Sequence, residues 1–246
     1  DEWAEFSPPC AYYGDKDATI TTIQNCELRA NRTAALYQYC GSVGKLSDSV
    51  FEGSATMAGK PAAVFLDGWG DQHYGTIENC TITLHCDDPD YSVAALDVKC
   101  GTLEGVTGCT ITGPDGILLE DFGGGKDCIS PEIRTLNSTV EGTNGYAIRT
   151  TPDLSSYGDT YKAVINFTGG KYKGTKGAEK YEGSATITYP AGQQLVAGED
   201  GWYTLQTAYT VTFKNGDTVL QTVTCGKNGT AAYTGSVPTK DADETY

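Results

Sequence analysis

The sequence predicts an all-β protein built as a right-handed parallel β-helix, and three observations lead to this fold class. Gly occurs 31 times and Tyr 16 times in 246 residues, and short β-branched runs end at Gly, Asn or Asp. Few stretches have the apolar period of about 3.6 residues that marks an amphipathic helix. A motif also returns about every thirty residues, which is typical of a solenoid.

The repeat is clearest where Ile77–Thr83 returns 29 positions later as Val106–Thr112. Apolar or small residues occupy motif positions 1, 4 and 6, and polar residues mostly occupy positions 2 and 5. Position 3 is Asn, Asp or Gly, the residue types that tolerate a bend. By this pattern the motif begins at Ile23, Leu46, Ile77, Val106, Thr135 and Phe167.

Each motif follows another strand-like run, as Val93–Cys100 does before Gly101. Two or three short strands therefore make one coil, and stacking of coils supplies the core that a single coil cannot form. Six coils about 4.8 Å apart predict a rod of about 30 Å. Helical repeats would need long amphipathic helices, which the Gly, Thr and Asn content disfavours. Leucine-rich repeats would need a shorter period anchored by Leu.

One inward column of this register contains only small residues, namely Cys26, Ser49, Cys80, Cys109 and Ser138. The column is either a ladder of disulfides or metal ligands, or a row of buried thiols that act as small apolar side chains. We favour thiols, because stacked side chains run parallel and close Cα atoms alone do not give disulfide geometry.

The repeat gives way to another pattern near residue 175. Ala185–Pro190 and Gly201–Leu205 predict a terminal hairpin that covers the open end of the solenoid, where unpaired strand edges would invite aggregation. Further on, Tyr209–Phe213 and Thr218–Val223 flank Asn-Gly-Asp, which predicts a second hairpin.

These last segments carry a family resemblance. YTVTF at 209–213, NGDTVLQTV at 215–223 and YTGSVPTK at 233–240 resemble the internalin-type B-repeat (Listeria-Bacteroides repeat), a module found in tandem on bacterial surface proteins. That family continues with a strand ending in Gly-Trp, which is missing here, so the module is partial. Residues about 20–207 resemble, by repeat style, the pectin-lyase-like β-helices of large surface proteins.

Two domains are therefore expected, a β-helix with its cap at 1–207 and a partial B-repeat at 208–246. The resemblances imply an extracellular location on a bacterial cell surface, and we expect the chain to be a piece of a longer protein. The formal net charge of −15 opposes binding to nucleic acid and to anionic lipid. No apolar run approaches the roughly 20 residues that span a bilayer, so no membrane insertion is expected within this fragment.

An alignment of Cys40 with Cys100 predicts one outward face with an acidic column. Asp67, Asp97 and Glu120 form this column, and Arg149 follows on the next coil. Pectate-lyase-like enzymes hold Ca²⁺ with such carboxylates and use an Arg or Lys as the base. The four residues are therefore the candidate catalytic set of a calcium-dependent lyase or a glycoside hydrolase.

The same face supports a non-catalytic interpretation, which we favour because no polygalacturonase-like motif set occurs in register. Tyr37, Tyr39 and Trp69 would stack on sugar rings, while Asp67 and Asp97 would accept hydrogen bonds from hydroxyl groups. A third interpretation is that the outward residues are merely solvated. The predicted function is an adhesin or rigid stalk without a cofactor. Its partner would be a host or dietary glycan or a host surface protein.

Overall fold

The computed structural model describes residues 10–15, 18–31, 33–55, 62–68, 72–86, 93–120, 130–151, 162–182, 185–227 and 229–236. Every regular element in these ranges is a β-strand, which confirms the predicted all-β class. No helix in the described part of the chain is long and apolar enough to cross a membrane.

The strands follow one another along the chain. They are β1 (Tyr12–Gly14), β2 (Thr19–Gln24), β3 (Glu27–Arg29), β4 (Leu36–Tyr39), β5 (Ser42–Ser47), β6 (Val50–Ala55), β7 (Val64–Asp67), β8 (His73–Glu78), β9 (Thr81–Cys86), β10 (Ala94–Lys99), β11 (Thr102–Gly113), β12 (Asp115–Glu120), β13 (Glu132–Gly142), β14 (Tyr146–Thr150), β15 (Ala163–Phe167), β16 (Lys171–Gly174), β17 (Gly177–Lys180), β18 (Ala185–Thr188), β19 (Gln193–Ala197), β20 (Tyr203–Asn215) and β21 (Thr218–Gly226).

Most coils consist of three strands, and each strand pairs in parallel with its counterparts in neighbouring coils. The first strands form a seven-stranded sheet in the order β1, β4, β7, β10, β12, β14, β17. The second strands pair in the order β2, β5, β8, β11, β13, β15, β18. The third strands are β3, β6, β9, the ends of β11 and β13, and β16. This parallel pairing in chain order is the arrangement of a solenoid, and parallel crossovers are almost always right-handed.

The register of the second strands agrees with the predicted motif starts except at one coil. Ile23 pairs with Leu46, and Leu46 pairs with Ile77, as the motif requires. Val106, however, pairs with Leu136, so the predicted start at Thr135 is wrong by one residue. An irregularity between Thr107 and Thr110 absorbs the difference, because a bulge adds one unpaired residue to a strand.

In the first four coils the bend after the second strand lies at motif position 3, as predicted. Asn25, Asp48 and Asn79 adopt positive φ angles of 52°, 49° and 53° there, and Gly108 adopts 66°. Asn79 Nδ2 also donates to Asp48 Oδ1 at 3.3 Å, which links two neighbouring bends. Asn, Asp and Gly reach this left-handed region at lower cost than other residues, so the sequence pattern fixes where the chain turns.

The core consists of stacked rows of inward side chains. In the first sheet one such row is fully buried and contains Leu36, Val64, Leu96, Ile117 and Ile148. Aromatic rings close the last coils, where Phe167 lies 5.1 Å from Tyr172 and 5.2 Å from Tyr189 between ring centroids. Each coil thus covers the apolar row of the coil before it.

The predicted small-residue column is present and is joined by hydrogen bonds. The backbone N–H of Cys80 donates to Cys109 Sγ at 3.4 Å, and that of Cys109 donates to Ser138 Oγ at 3.1 Å. Cys80 and Cys109 are buried, whereas Cys26 is exposed because it lies in a terminal coil of the column. All three cysteines are free thiols. The hydrogen bond to Cys109 and burial raise the pKa of the Cys80 thiol.

Thiol labelling should separate these cysteines. We expect Cys26 to react with iodoacetamide in the native protein, while Cys80 and Cys109 react only after denaturation, since only an accessible thiolate is nucleophilic. Mass spectrometry of labelled peptides, without reductant, gives the measurement. Native labelling of Cys80, or a disulfide between Cys80 and Cys109, would contradict the buried column.

The C-terminal strands end the parallel stacking. Ala185–Thr188 pairs in parallel with β15 and so belongs to the solenoid rather than to a terminal hairpin. The predicted partner of Gly201–Leu205 is therefore wrong: β19 instead forms a hairpin with β20, and β20 also pairs antiparallel with β16. β20 runs on past residue 207 and pairs with β21 around Gly216, which confirms the second predicted hairpin. One strand therefore connects the two expected domains.

Candidate functional site

The outward side of the seven-stranded sheet carries two adjacent rows of side chains. The first row follows the register Tyr13, Tyr37, Phe65, Asp97, Leu118, Arg149. The second row follows Tyr39, Asp67, Lys99, Glu120. We call these ten residues the outer face. They alternate along each strand with the inward row described above, as a period of two requires.

The outer face contains the predicted site residues in an order different from the predicted one. Asp67 pairs with Lys99, and Lys99 pairs with Glu120, so a cation lies between two members of the predicted acidic column. Asp97 lies in the neighbouring row, beside Phe65 and Leu118. The continuous acidic column is therefore wrong. Asp67 and Glu120 lie two residues from the positions expected for them, and a two-residue slip keeps a side chain on the same face.

The centre of the outer face is buried although it points away from the core. Phe65, Asp67 and Lys99 are 3%, 5% and 2% exposed, and Asp97 and Leu118 are 7% and 5% exposed. Phe65 and Leu118 are not part of the main apolar cluster inside the solenoid. A second buried layer thus lies outside the sheet, and it contains charged groups.

A buried ion pair joins neighbouring coils within this layer. Lys99 Nζ lies 2.9 Å from Asp67 Oδ1, and the Tyr37 hydroxyl donates to Asp67 Oδ2 at 2.7 Å. Burial, together with this hydrogen bond to Asp67, raises the pKa of Tyr37, so its hydroxyl stays protonated and keeps donating. Asp67 Oδ2 therefore accepts a hydrogen bond, whereas Oδ1 contacts the Lys99 ammonium as an ion pair without an aligned hydrogen bond.

Aromatic rings cover the N-terminal end of the outer face. The Tyr37 ring stacks on Phe65 with 5.0 Å between centroids and a 9° interplanar angle. Tyr13 and Tyr39 meet Tyr37 edge-on at 5.4 Å and 6.5 Å. Tyr13 is 42% exposed, and Tyr37 and Tyr39 are partly exposed. This end of the face thus presents part of its aromatic surface to solvent.

At the other end, Arg149 is engaged by carboxylates. Its Nε donates to Asp115 Oδ2 at 2.7 Å, and Nη1 lies 3.9 Å from Glu182. The Arg149 side chain is only 11% exposed. Both carboxylates therefore engage the guanidinium within the protein.

The geometry also bears on the calcium alternative. Calcium needs six to eight oxygen ligands, mostly from carboxylates and carbonyls. Asp67 contacts the ammonium group of Lys99, which would compete with a cation for the same oxygen. Within the described ranges no three His, Cys, Asp or Glu residues are grouped as metal ligands would be.

The outer face includes residues that the sequence did not predict as site residues, and one predicted residue cannot be placed on it. Trp69 lies outside the described residues. Lys99, Phe65 and Tyr13 were not among the predicted site residues, although Lys99 lies at the centre of the outer face. The turn that follows each strand provides the alignment that would have placed Lys99 beside Asp67. Asp67 precedes Gly68 as Lys99 precedes Cys100 and as Tyr39 precedes Cys40.

A shallow groove of about 410 Å³ lies at a different corner of the solenoid. Small polar residues of three coils line it, including Cys109, Ser138 and Gly170, with Lys171 and Thr204 at its side. Lys171 Nζ also lies 4.7 Å from the centroid of the Trp202 ring. The aromatic surface near this groove is therefore already in contact with a cation.

Comparison with known proteins adds no family to this description. No family model matches the chain, and no curated protein or solved structure matches it.

Proposed function

We propose that this chain is a non-catalytic, glycan-binding segment of a bacterial cell-surface protein, held rigid by its stacked coils. The observation that carries the proposal is the cluster of Tyr13, Tyr37 and Tyr39 at the open end of the outer face. Sugar rings stack on such aromatic surfaces, and tyrosine hydroxyls hydrogen-bond to sugar hydroxyls. The surface location rests on the β-helix and B-repeat resemblances.

The state of the charged groups supports binding rather than catalysis. A general base must be able to take up a proton from the substrate. Lys99 contacts Asp67, and Arg149 donates to Asp115, so carboxylates of the protein already engage both candidate bases. The carboxylate of Asp67 is likewise occupied by Lys99 and Tyr37.

The enzyme alternative has a direct test. We expect no unsaturated, ultraviolet-absorbing products when the protein is incubated with polygalacturonate and related acidic glycans in the presence of Ca²⁺. If such products form, and Asp97→Ala or Arg149→Ala abolishes their formation, the protein is a lyase and the binding proposal is wrong.

A glycan array tests the binding proposal itself. We expect the wild-type protein and the Tyr209→Ala variant to retain the same glycans, and Tyr39→Ala to lose signal. Tyr209 is a fair control because it is 49% exposed on the distant β20–β21 hairpin. Absence of any glycan signal, or a signal that ignores Tyr39→Ala, would remove this end of the outer face as the binding site.

A further inference from the structure

We propose that Lys99 and Asp67 form an intramolecular isopeptide bond, a covalent cross-link between the coils that contain β7 and β10. The inference does not depend on glycan binding. It rests on the contact between Lys99 Nζ and Asp67 Oδ1 at 2.9 Å, on the burial of both side chains, and on the groups that surround them.

Register and burial bring the reacting atoms together. Lys99 and Asp67 are the last residues of neighbouring parallel strands and face each other directly. Their side chains are only 3% and 7% exposed. Phe65 and Leu118, both buried, lie beside them in the adjacent row of the outer face. Amine and carboxyl group are thus held in contact with little water to compete.

The reaction starts from the neutral forms of both groups. An ammonium and a carboxylate are costly to bury, and transfer of one proton between them gives a neutral amine and a neutral carboxylic acid. The neutral amine is a nucleophile, whereas the ammonium is not. Asp97 is buried on the same face, two residues before Lys99, and we assign it the proton transfers of the reaction.

The reaction balances without any other reagent. The lone pair of Lys99 Nζ attacks Cγ of the protonated Asp67 carboxyl group, and the C–N bond forms. Negative charge develops on Oδ2, where the Tyr37 hydroxyl donates at 2.7 Å and stabilises it. Asp97 accepts a proton from the nitrogen and returns it to Oδ1. The C–Oδ1 bond then breaks, and Oδ1 leaves with its two protons as water.

A second Lys–carboxylate contact in the same protein shows what burial adds. Lys45 Nζ lies 2.6 Å from Glu78 Oε2, also between neighbouring parallel strands. Their side chains are 43% and 33% exposed, so water stabilises both charges and no cross-link is expected there. This exposed pair is a built-in control.

Intact mass spectrometry of the reduced, denatured protein tests the proposal. We expect the wild-type mass to be lower than the sequence mass by one water molecule, and the Lys45→Met variant to show the same loss. Lys99→Met should have its full sequence mass. A wild-type protein at its full sequence mass would overturn the proposal, whether or not any variant folds.

Peptide mapping distinguishes the cross-link from a succinimide at Asp67-Gly68, which loses the same mass. Cleavage after Glu52, Glu78 and Glu104 separates residues 53–78 from 79–104. An isopeptide bond should join these two peptides into one branched species, and Lys99→Met should eliminate it. Two separate peptides, with the mass loss confined to 53–78, would identify the succinimide and overturn the cross-link.

The assignment of Asp97 has its own readout. In freshly purified Asp97→Asn protein we expect the branched species to form at least tenfold more slowly than in the wild type, measured as the cross-linked fraction against time. An unchanged rate would overturn the assignment of Asp97 as the proton carrier.

Discussion

Leu96→Ala should lower the free energy of unfolding by about 3–5 kcal/mol, the range expected for a fully buried leucine. Leu96 lies in the middle of the inward row and pairs with Val64 on one side and Ile117 on the other. Its side chain has no exposure to solvent. In a solenoid each coil contacts only its neighbours, so a cavity at this position weakens two coil interfaces together.

Urea unfolding followed by circular dichroism measures this loss, with Leu220→Ala as the matched control. Leu220 is 37% exposed on β21, so the same truncation there should cost less than about 1 kcal/mol. Equal losses for the two variants would mean that Leu96 is not part of a continuous core.

Gly75→Ala should lower the free energy of unfolding by at least about 3 kcal/mol, although it adds a single methyl group. Gly75 lies on β8, and a Cβ atom built on it would overlap the carbonyl oxygen of Gly44 on the neighbouring coil. A backbone oxygen cannot rotate away as a side chain can. The substitution therefore forces the two coils apart or breaks their pairing.

Gly105→Ala provides the control because it makes the same chemical change on the adjacent strand β11. The atom nearest to a Cβ on Gly105 is 3.7 Å away, which is an ordinary contact. We expect this variant to stay within about 1 kcal/mol of the wild type in thermal or urea unfolding. If Gly75→Ala were equally harmless, the backbones of β5 and β8 would not approach each other as closely as described at Gly44 and Gly75.

Alternation of apolar and polar residues was sufficient to predict most of the fold. The pairing of Ile23, Leu46 and Ile77 follows from a period of two, because a one-residue slip would turn every apolar side chain outward. The bends at Asn25, Asp48 and Asn79 follow from residue types that tolerate positive φ. Both signals lie within short stretches of the chain, so they can be recognised in a single sequence.

The same logic explains the two errors of register. The bulge between Thr107 and Thr110 adds one residue to β11, so the motif in the next coil begins one residue after the predicted start at Thr135. The apolar and polar pattern on either side stays the same, so the periodicity of the sequence does not reveal the bulge. On the outer face, the predicted alignment misplaced Asp67 and Glu120 by two residues. A shift of two residues keeps each side chain on the same face, so the alternation of polar and apolar residues in the sequence does not reveal it. An alignment of Gly68 with Cys40 and Cys100 gives the correct position of Asp67, beside Lys99.

Burial of the outer face could not be predicted from the strands that form it. Asp67, Asp97 and Lys99 have the polarity of solvated residues, and a strand does not reveal what lies against its outward side. The contact of Lys99 with Asp67 depends on a register across about thirty residues of chain, so it became visible only in the fold.

The outer face consequently has two parts with different chemistry. Its N-terminal end presents the exposed ring of Tyr13 beside Tyr37 and Tyr39, while its centre is dry and joined by the Lys99–Asp67 pair. Tyr37 belongs to both, because its ring contacts Tyr13 and its hydroxyl donates to Asp67. Binding is therefore best tested with Tyr13 and Tyr39, whose replacement leaves the bond between Tyr37 and Asp67 in place.

The most direct test of the proposed function is calorimetric titration of the strongest oligosaccharide from the array into three proteins. We expect the Tyr13→Ala/Tyr39→Ala double variant to bind about 30-fold more weakly than the wild type, since each lost stacking contact costs about 1 kcal/mol. Tyr209→Ala should bind as the wild type does. Equal affinity of the double variant and the wild type would show that these tyrosines do not form a glycan platform.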